Sequence, residues 1–192
     1  MKTPVVSVFG SSAPQPGSDA YIAAFELGRL IAKQGWTICN GGYGGTMEAA
    51  ARGAATAGGL TIGVTCSGFG PRPANRYVRR RIRTTNLFDR LKTLIRSASA
   101  YVVLPGGTGT LVELSLVLEF ANKRMLTGNR PLIFLGDYWR GVVEAATRER
   151  PLLQNVHFCA TPADTVSVLC NHFGPKAAPA RRRAAARKRT PA

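Results

Sequence analysis

The sequence predicts an α/β fold, a Rossmann-like doubly wound parallel sheet with helices on both faces. Three observations carry that expectation. Short apolar runs alternate with stretches whose apolar residues recur at helical spacing. Several of the runs end in glycine turns that lead straight into a helix, the arrangement of parallel strand–helix units. The 192 residues, 45% of them hydrophobic, suffice for one substantial core. Residues 1–173 read as that single domain, and 174–192 as a basic, disordered tail.

In chain order, Val5–Phe9 is a first buried strand that breaks at Gly10-Ser11-Ser12. From Asp19 to Gln34, Ile22, Phe25, Leu27, Leu30 and Ile31 mark a helix, with Gly35 as its cap. Trp36–Cys39 is a second strand, and Asn40–Gly45 a glycine turn that opens an alanine-rich helix over Thr46–Ala57. Leu60–Val64 is a third strand. Residues 65–83 carry Gly68, Gly70, Pro71 and Pro73 before an arginine-rich stretch, and read as irregular. A helix from Asn86 to about Ser97 places Leu87, Leu91, Leu94 and Ile95 on one face. Tyr101–Leu104 is the next strand, followed by the turn Pro105–Gly109 and a helix over Thr110–Asn122. A strand over Pro131–Leu135, a helix over Asp137–Arg148, a short strand over Val156–Cys159 and a helix over Asp164–Phe173 complete the domain.

Composition removes several function classes. No apolar run approaches the roughly 18–20 residues that cross a bilayer, and the strand-like N-terminus does not read as a signal peptide. A cytoplasmic protein with no membrane partner is therefore expected. Cys39, Cys66, Cys159 and Cys170 lack C-x-x-C spacing, and His157 and His172 lie far from the glycine turns, so neither a disulfide framework nor a metal site is expected. The net charge of +16 comes in two blocks: seven bases without an acid in 174–192, and nine bases against Asp89 in 72–96. Aromatic interleaving in the second block is thin, with only Tyr77 and Phe88. Nucleic acid is therefore not the expected partner, although the tail would attract polyanions in a salt-dependent way.

In open parallel sheets, ligands bind beyond the carboxyl ends of the strands. Gly10 and Ser11, the Gly41–Gly45 turn, the 65–83 segment and the Pro105–Thr110 turn all belong to that edge. Neither a G-x-G-x-x-G dinucleotide fingerprint nor a P-loop occurs. One glycine turn needs no more explanation than a tight connection, but three on one edge favour a pocket for an anion or nucleotide. The amides of Gly106, Gly107, Gly109 and Thr110 at a helix start suit a phosphate. Glu113 has two readings: it closes a Thr110-x-x-Glu113 capping box, or it is a carboxylate one turn from the cradle, working with Arg90.

Pro105-Gly-Gly-Thr-Gly-Thr-Leu-Val-Glu113 resembles the P-G-G-x-G-T-x-x-E motif of the Lonely Guy (LOG) proteins, formerly labelled lysine decarboxylases. Gly41-Gly42-Tyr-Gly-Gly45-Thr-Met47 is similar to that family's second glycine turn, and the resemblance spans roughly residues 4–173. It implies hydrolysis of a cytokinin-riboside 5′-monophosphate to free base and ribose 5-phosphate, with Arg90 and Glu113 as the catalytic pair. Gly10, Ser11, Gly42, Gly45, Glu48, Gly106, Gly107, Thr108, Gly109 and Thr110 would then bind substrate and phosphate. It implies no cofactor, and a homodimer with active sites close to the interface. The sequence departs from the family's pattern at Leu91, where Arg-Lys is usual, and at Glu48, where cytokinin-activating members have glycine. The resulting Met-Glu-Ala-Ala turn is more like related nucleosidases and carrier proteins. The alternative reading is a non-catalytic carrier of a nucleotide or of molybdenum cofactor, since such carriers share these glycine turns. Leu111, Leu114 and Leu118 form an apolar face suited to the core or to a subunit interface, with the core favoured.

Overall fold

A computed structural model describes residues 3–151 and 155–174. Among these residues seven strands form one sheet: β1 (Val5–Phe9), β2 (Thr37–Asn40), β3 (Thr61–Cys66), β4 (Arg80–Thr84), β5 (Ala100–Val103), β6 (Leu132–Leu135) and β7 (Val156–Cys159). Their spatial order is β4-β3-β2-β1-β5-β6-β7, and every neighbouring pair is parallel. The expected doubly wound α/β sheet is therefore what forms. Successive strands step one way from β1 to β4 and the other way from β1 through β5 to β7. The direction reverses between β1 and β5, which leaves a crevice beyond their carboxyl ends.

Among the described residues, six helices cover the two faces: α1 (Asp19–Lys33), α2 (Thr46–Thr56), α3 (Leu87–Arg96), α4 (Thr108–Asn122), α5 (Arg140–Thr147) and α6 (Pro162–Phe173). One core joins Leu27 and Ile31 of α1, Ala50 and Ala54 of α2, and Leu169 of α6 to Val6, Val8 and Val102 of the sheet. The other joins Leu94 and Ile95 of α3, Leu114 and Val117 of α4, and Val143 of α5 to Phe9, Tyr101 and Phe134. Strand side chains alternate between faces, so β1, β2, β5 and β6 feed both cores, and β2, β3, β5 and β6 are buried at every position. Leu114 and Leu118 belong to the second core with Leu111 packed against it, the placement favoured from the sequence.

Local chemistry sets several helix ends. The Ser18 side chain accepts from the Tyr21 amide to cap α1, and Gly35 follows that helix with φ +78°. Thr161 and Asp164 form a reciprocal capping box on α6. Two expectations are corrected. The 65–83 segment is not irregular throughout, because Arg80–Thr84 forms β4, paired with β3 from Ile62↔Arg80 to Cys66↔Thr84. Three arginines in five residues hide its alternation; only Ile82 packs against the core, as befits an edge strand guarded by charge. The second correction is that α4 starts at Thr108 rather than Thr110, with Gly107 as its N-cap. The expected disordered tail lies outside the described residues. Among those described, all four cysteines are free, no His/Cys/Asp/Glu group has a metal-holding arrangement, and no helix is long and apolar enough to cross a membrane.

Candidate active site

Loops that leave the carboxyl ends of the central strands are bolted to one another. At the end of β1, the Ser11 carbonyl accepts from both the amide and the hydroxyl of Thr46, at 2.9 and 3.0 Å. Gly45, at φ +65°, backs onto the Ser11–Ser12 backbone, where a Cβ would collide with main-chain atoms. At the end of β2, the buried Asn40 side chain donates to the Met47 carbonyl and accepts from the Gly42 amide, both at 2.9 Å. Asn75 then ties the β3–β4 segment to the same turn. Its side chain donates to the Tyr43 carbonyl, and its amide to that of Gly42, each at 2.8 Å.

After β5 the chain turns through Pro105 and Gly106, and Trp139 Nε1 holds the turn by donating to the Leu104 carbonyl at 2.9 Å. The first amides of α4 have no partner within the helix. Gly107 has no side-chain capping bond, and at Gly107 and Gly109 nothing lies within 4 Å of where a Cβ would be. This start is therefore an open cluster of N–H donors at the positive end of the helix dipole. Glu113 is the sixth residue of α4 and does not cap it, so the capping-box reading is corrected. The carboxylate is instead buried, 3.4 Å from Arg90 Nη1.

Arg90 comes from the first turns of α3, whose own start is capped by Asn86 accepting from the Asp89 amide. Its Nε donates to the Val64 carbonyl at 3.0 Å, and its Cζ lies 5.8 Å from the Tyr43 ring centroid and 5.6 Å from that of Phe69. Arg90 and Glu113 are only 7% and 6% exposed, so this is a desolvated ion pair. Burial raises the Glu113 carboxyl to about 7, against the opposing pull of Arg90. The group titrates near neutrality, as acid–base and charge-stabilising residues at active sites commonly do. Beneath the pair, burial pushes the Cys39 thiol up to about 12, leaving it protonated and inert.

These groups border a cavity of about 450 Å³. Of the residues expected at the site, Gly10, Ser11, Arg90, Gly107, Thr108, Gly109, Thr110 and Glu113 line it. Gly42, Gly45 and Gly106 lie behind the wall, packed against Gly63, the Ser11–Ser12 backbone and Thr110 respectively. Glu48 is half-buried in the first turn of α2 and is not among the lining residues. The sequence reading put the segments holding Gly41, Tyr43 and Phe69 on this edge but gave these three residues no role of their own. Each aromatic sits between two glycines, Gly42-Tyr43-Gly44 and Gly68-Phe69-Gly70, a local signal that was there to be read. Gly41 leaves room for the Arg90 guanidinium: a Cβ would collide with its Nη2 and come within 2.7 Å of Met47 Sδ. Arg72, from the basic block, reaches the cavity, whereas β4 carries Arg80, Arg81 and Arg83 away to the sheet edge.

Residues 3–162 match the model of the SLOG cluster4 family. The chain belongs to that family. The LOG resemblance read from its motifs holds at the level of relatives as well. A cytokinin riboside 5′-monophosphate phosphoribohydrolase from Mycobacterium tuberculosis is 35% identical over 111 residues, 57% of this chain and 59% of that protein. An uncharacterized protein from Archaeoglobus fulgidus is 32% identical over 139 residues, covering 71% of this chain and 87% of its own. Among solved structures, the molybdenum cofactor binding protein of Rippkaea orientalis is similar with a TM-score of 0.73 and 27% identity, over 90% of this chain and 98% of that one. This SLOG protein thus resembles one protein named for catalysis and another named for cofactor binding.

Proposed function

We propose that this SLOG protein is a hydrolase of the N-glycosidic bond of a nucleoside 5′-monophosphate, releasing the base and ribose 5-phosphate. The observation that carries the reading is the buried Arg90–Glu113 pair in the wall of a cavity that also receives the open start of α4. In this reading the amides of Gly107, Gly109 and Thr110 hold the 5′-phosphate, which places the ribose over Glu113. The bond between C1′ and the base nitrogen breaks with its electron pair going to the base, leaving positive charge on the ribose. Ionised Glu113 stabilises that charge, as carboxylates do in glycoside hydrolysis. Water adds its oxygen to C1′, and the proton balance is completed by protonation of the departing base. Arg90 holds Glu113 in position and keeps a share of it ionised. No cofactor takes part, and cytokinin riboside 5′-monophosphates are the first substrates to try, given the Mycobacterium tuberculosis relative.

The experiment is incubation with AMP and with isopentenyladenosine monophosphate, followed by chromatography for free base. Release from either, lost in Glu113→Ala, is the expected result. A second reading, a carrier of a nucleotide-like ligand, is favoured by the near-complete overlap with the Rippkaea orientalis protein and by Glu48 in the Met-Glu-Ala-Ala turn. Tight binding without release from any nucleoside monophosphate would select it. We further propose a homodimer that joins near the cavity mouth, where Leu87, Phe88 and Val112 are 40%, 81% and 41% exposed.

A further inference from the structure

Tyr43, Phe69 and the Arg90 guanidinium form a nearly equilateral triangle. The two ring centroids are 6.4 Å apart, and Arg90 Cζ lies 5.8 and 5.6 Å from them. The two rings are held differently. Tyr43 Oη accepts from the Cys66 amide at 2.9 Å and donates to the Cys66 carbonyl at 3.2 Å, which fastens its ring to the end of β3. Phe69 ends a three-residue 3-10 turn, Ser67–Phe69, between Gly68 and Gly70, and is 40% exposed. Its ring therefore lies over the guanidinium, and its ring contacts among the described residues are with Arg90 and Tyr43. A large apolar ring left partly in water beside a buried cation is accounted for by attraction of the guanidinium to its face, strongest where water is excluded.

We propose that Phe69 is a positioning residue: its ring, with that of Tyr43, holds the Arg90 guanidinium against the Glu113 carboxylate. The hydrogen bond to Val64 fixes only Nε, and the 3.4 Å contact to Glu113 is too long to fix Nη1 alone. The rings supply the remaining restraint on the plane of the guanidinium, and Gly41 gives it space.

This inference rests on the hydrolase reading for its consequence but not for its test. The charged and titratable groups facing Glu113 are Arg90 from α3, Cys39 from β2, Tyr43 from the β2–α2 turn and Arg72 at the cavity wall. Titration of Glu113, assigned by its loss in Glu113→Gln, is followed by NMR of the full chain carrying ¹³C-labelled glutamate, without substrate. Phe69→Leu keeps apolar cover and removes the ring face; Phe69→Tyr keeps both. Phe69→Leu is expected to raise the Glu113 midpoint by about half a pH unit, because a loosened Arg90 favours the anion less, and Phe69→Tyr is expected to leave it in place. A midpoint unmoved or lowered in Phe69→Leu would overturn the proposal, whether or not base release is seen. In the hydrolysis assay, Phe69→Leu is expected to lower kcat at least threefold with KM little changed; a rise in KM alone would make Phe69 a substrate contact instead.

Discussion

Glu113 is one carboxyl group with two consequences for pH. Its ordinary value of 4.5 applies to the unfolded chain, whereas burial brings it to about 7 in the folded one. Below 4.5 both states hold the proton and the group contributes no difference. Between 4.5 and 7 the unfolded chain ionises while the folded one does not, so stability is lost as pH rises, levelling off above 7 at about 3 kcal/mol. Urea unfolding at pH 5 and pH 8 should therefore show the native chain losing stability relative to Glu113→Gln. Parallel behaviour of the two would mean that the folded carboxyl is already ionised at pH 5. The same ionisation governs catalysis with the opposite outcome: if the anion stabilises the ribose cation, kcat/KM climbs as pH passes through about 7. The active form of the residue is thus the one the fold tolerates less, a common trade at buried functional groups.

At the scale of elements, the site is a property of the turns. Gly41 and Gly107 have the same residue type and different roles. A Cβ at Gly41 would collide with Arg90 and press on Met47 at 2.7 Å, whereas at Gly107 it would meet nothing within 4 Å. Gly41→Ala is expected to cost roughly 1–3 kcal/mol by overpacking and to displace Arg90, while Gly107→Ala loses only the N-cap preference for glycine over alanine, about 1 kcal/mol or less. Thermal denaturation of both checks this; equal stability of the two variants would show that Arg90 yields without cost. The turns were legible because glycine clusters after apolar runs have one common use, and the alternation of runs and helical stretches was enough for the sheet. The edge strand β4 escaped because arginine at three of five positions leaves only Ile82 to signal a buried face. The role of Glu113 was ambiguous for another reason. Thr110-x-x-Glu113 is a capping box only if the helix starts at Thr110, and propensity alone places a helix start no better than a turn. Tyr43 and Phe69 escaped because their task depends on where Arg90 arrives, from a helix more than 40 residues beyond Tyr43.

For the whole molecule, the governing tension is between charge and an exposed apolar rim. Each chain carries +16, and of the nine bases in 72–96 only Arg90 has an ion pair among the described residues. Two such chains repel at long range, so a dimer must be held by short-range apolar burial. Phe88, 81% exposed at the start of α3 and next to the cavity-lining Leu87, is the residue with most to gain from that burial. Removing a phenylalanine side chain from water contributes about 1.5–3 kcal/mol, and a symmetric interface uses it twice. Light scattering after gel filtration should therefore give twice the 20.5 kDa chain mass for the native protein and the single mass for Phe88→Asp. Salt provides the discriminating arm. A dimer formed by burial against like-charge repulsion tightens as screening rises, whereas one joined by ion pairs loosens. A dimer that dissociates between 0.1 and 0.5 M salt, on the order of the range where the screening length falls from 10 Å toward 3 Å, would place the interface at charged residues and not at Phe88.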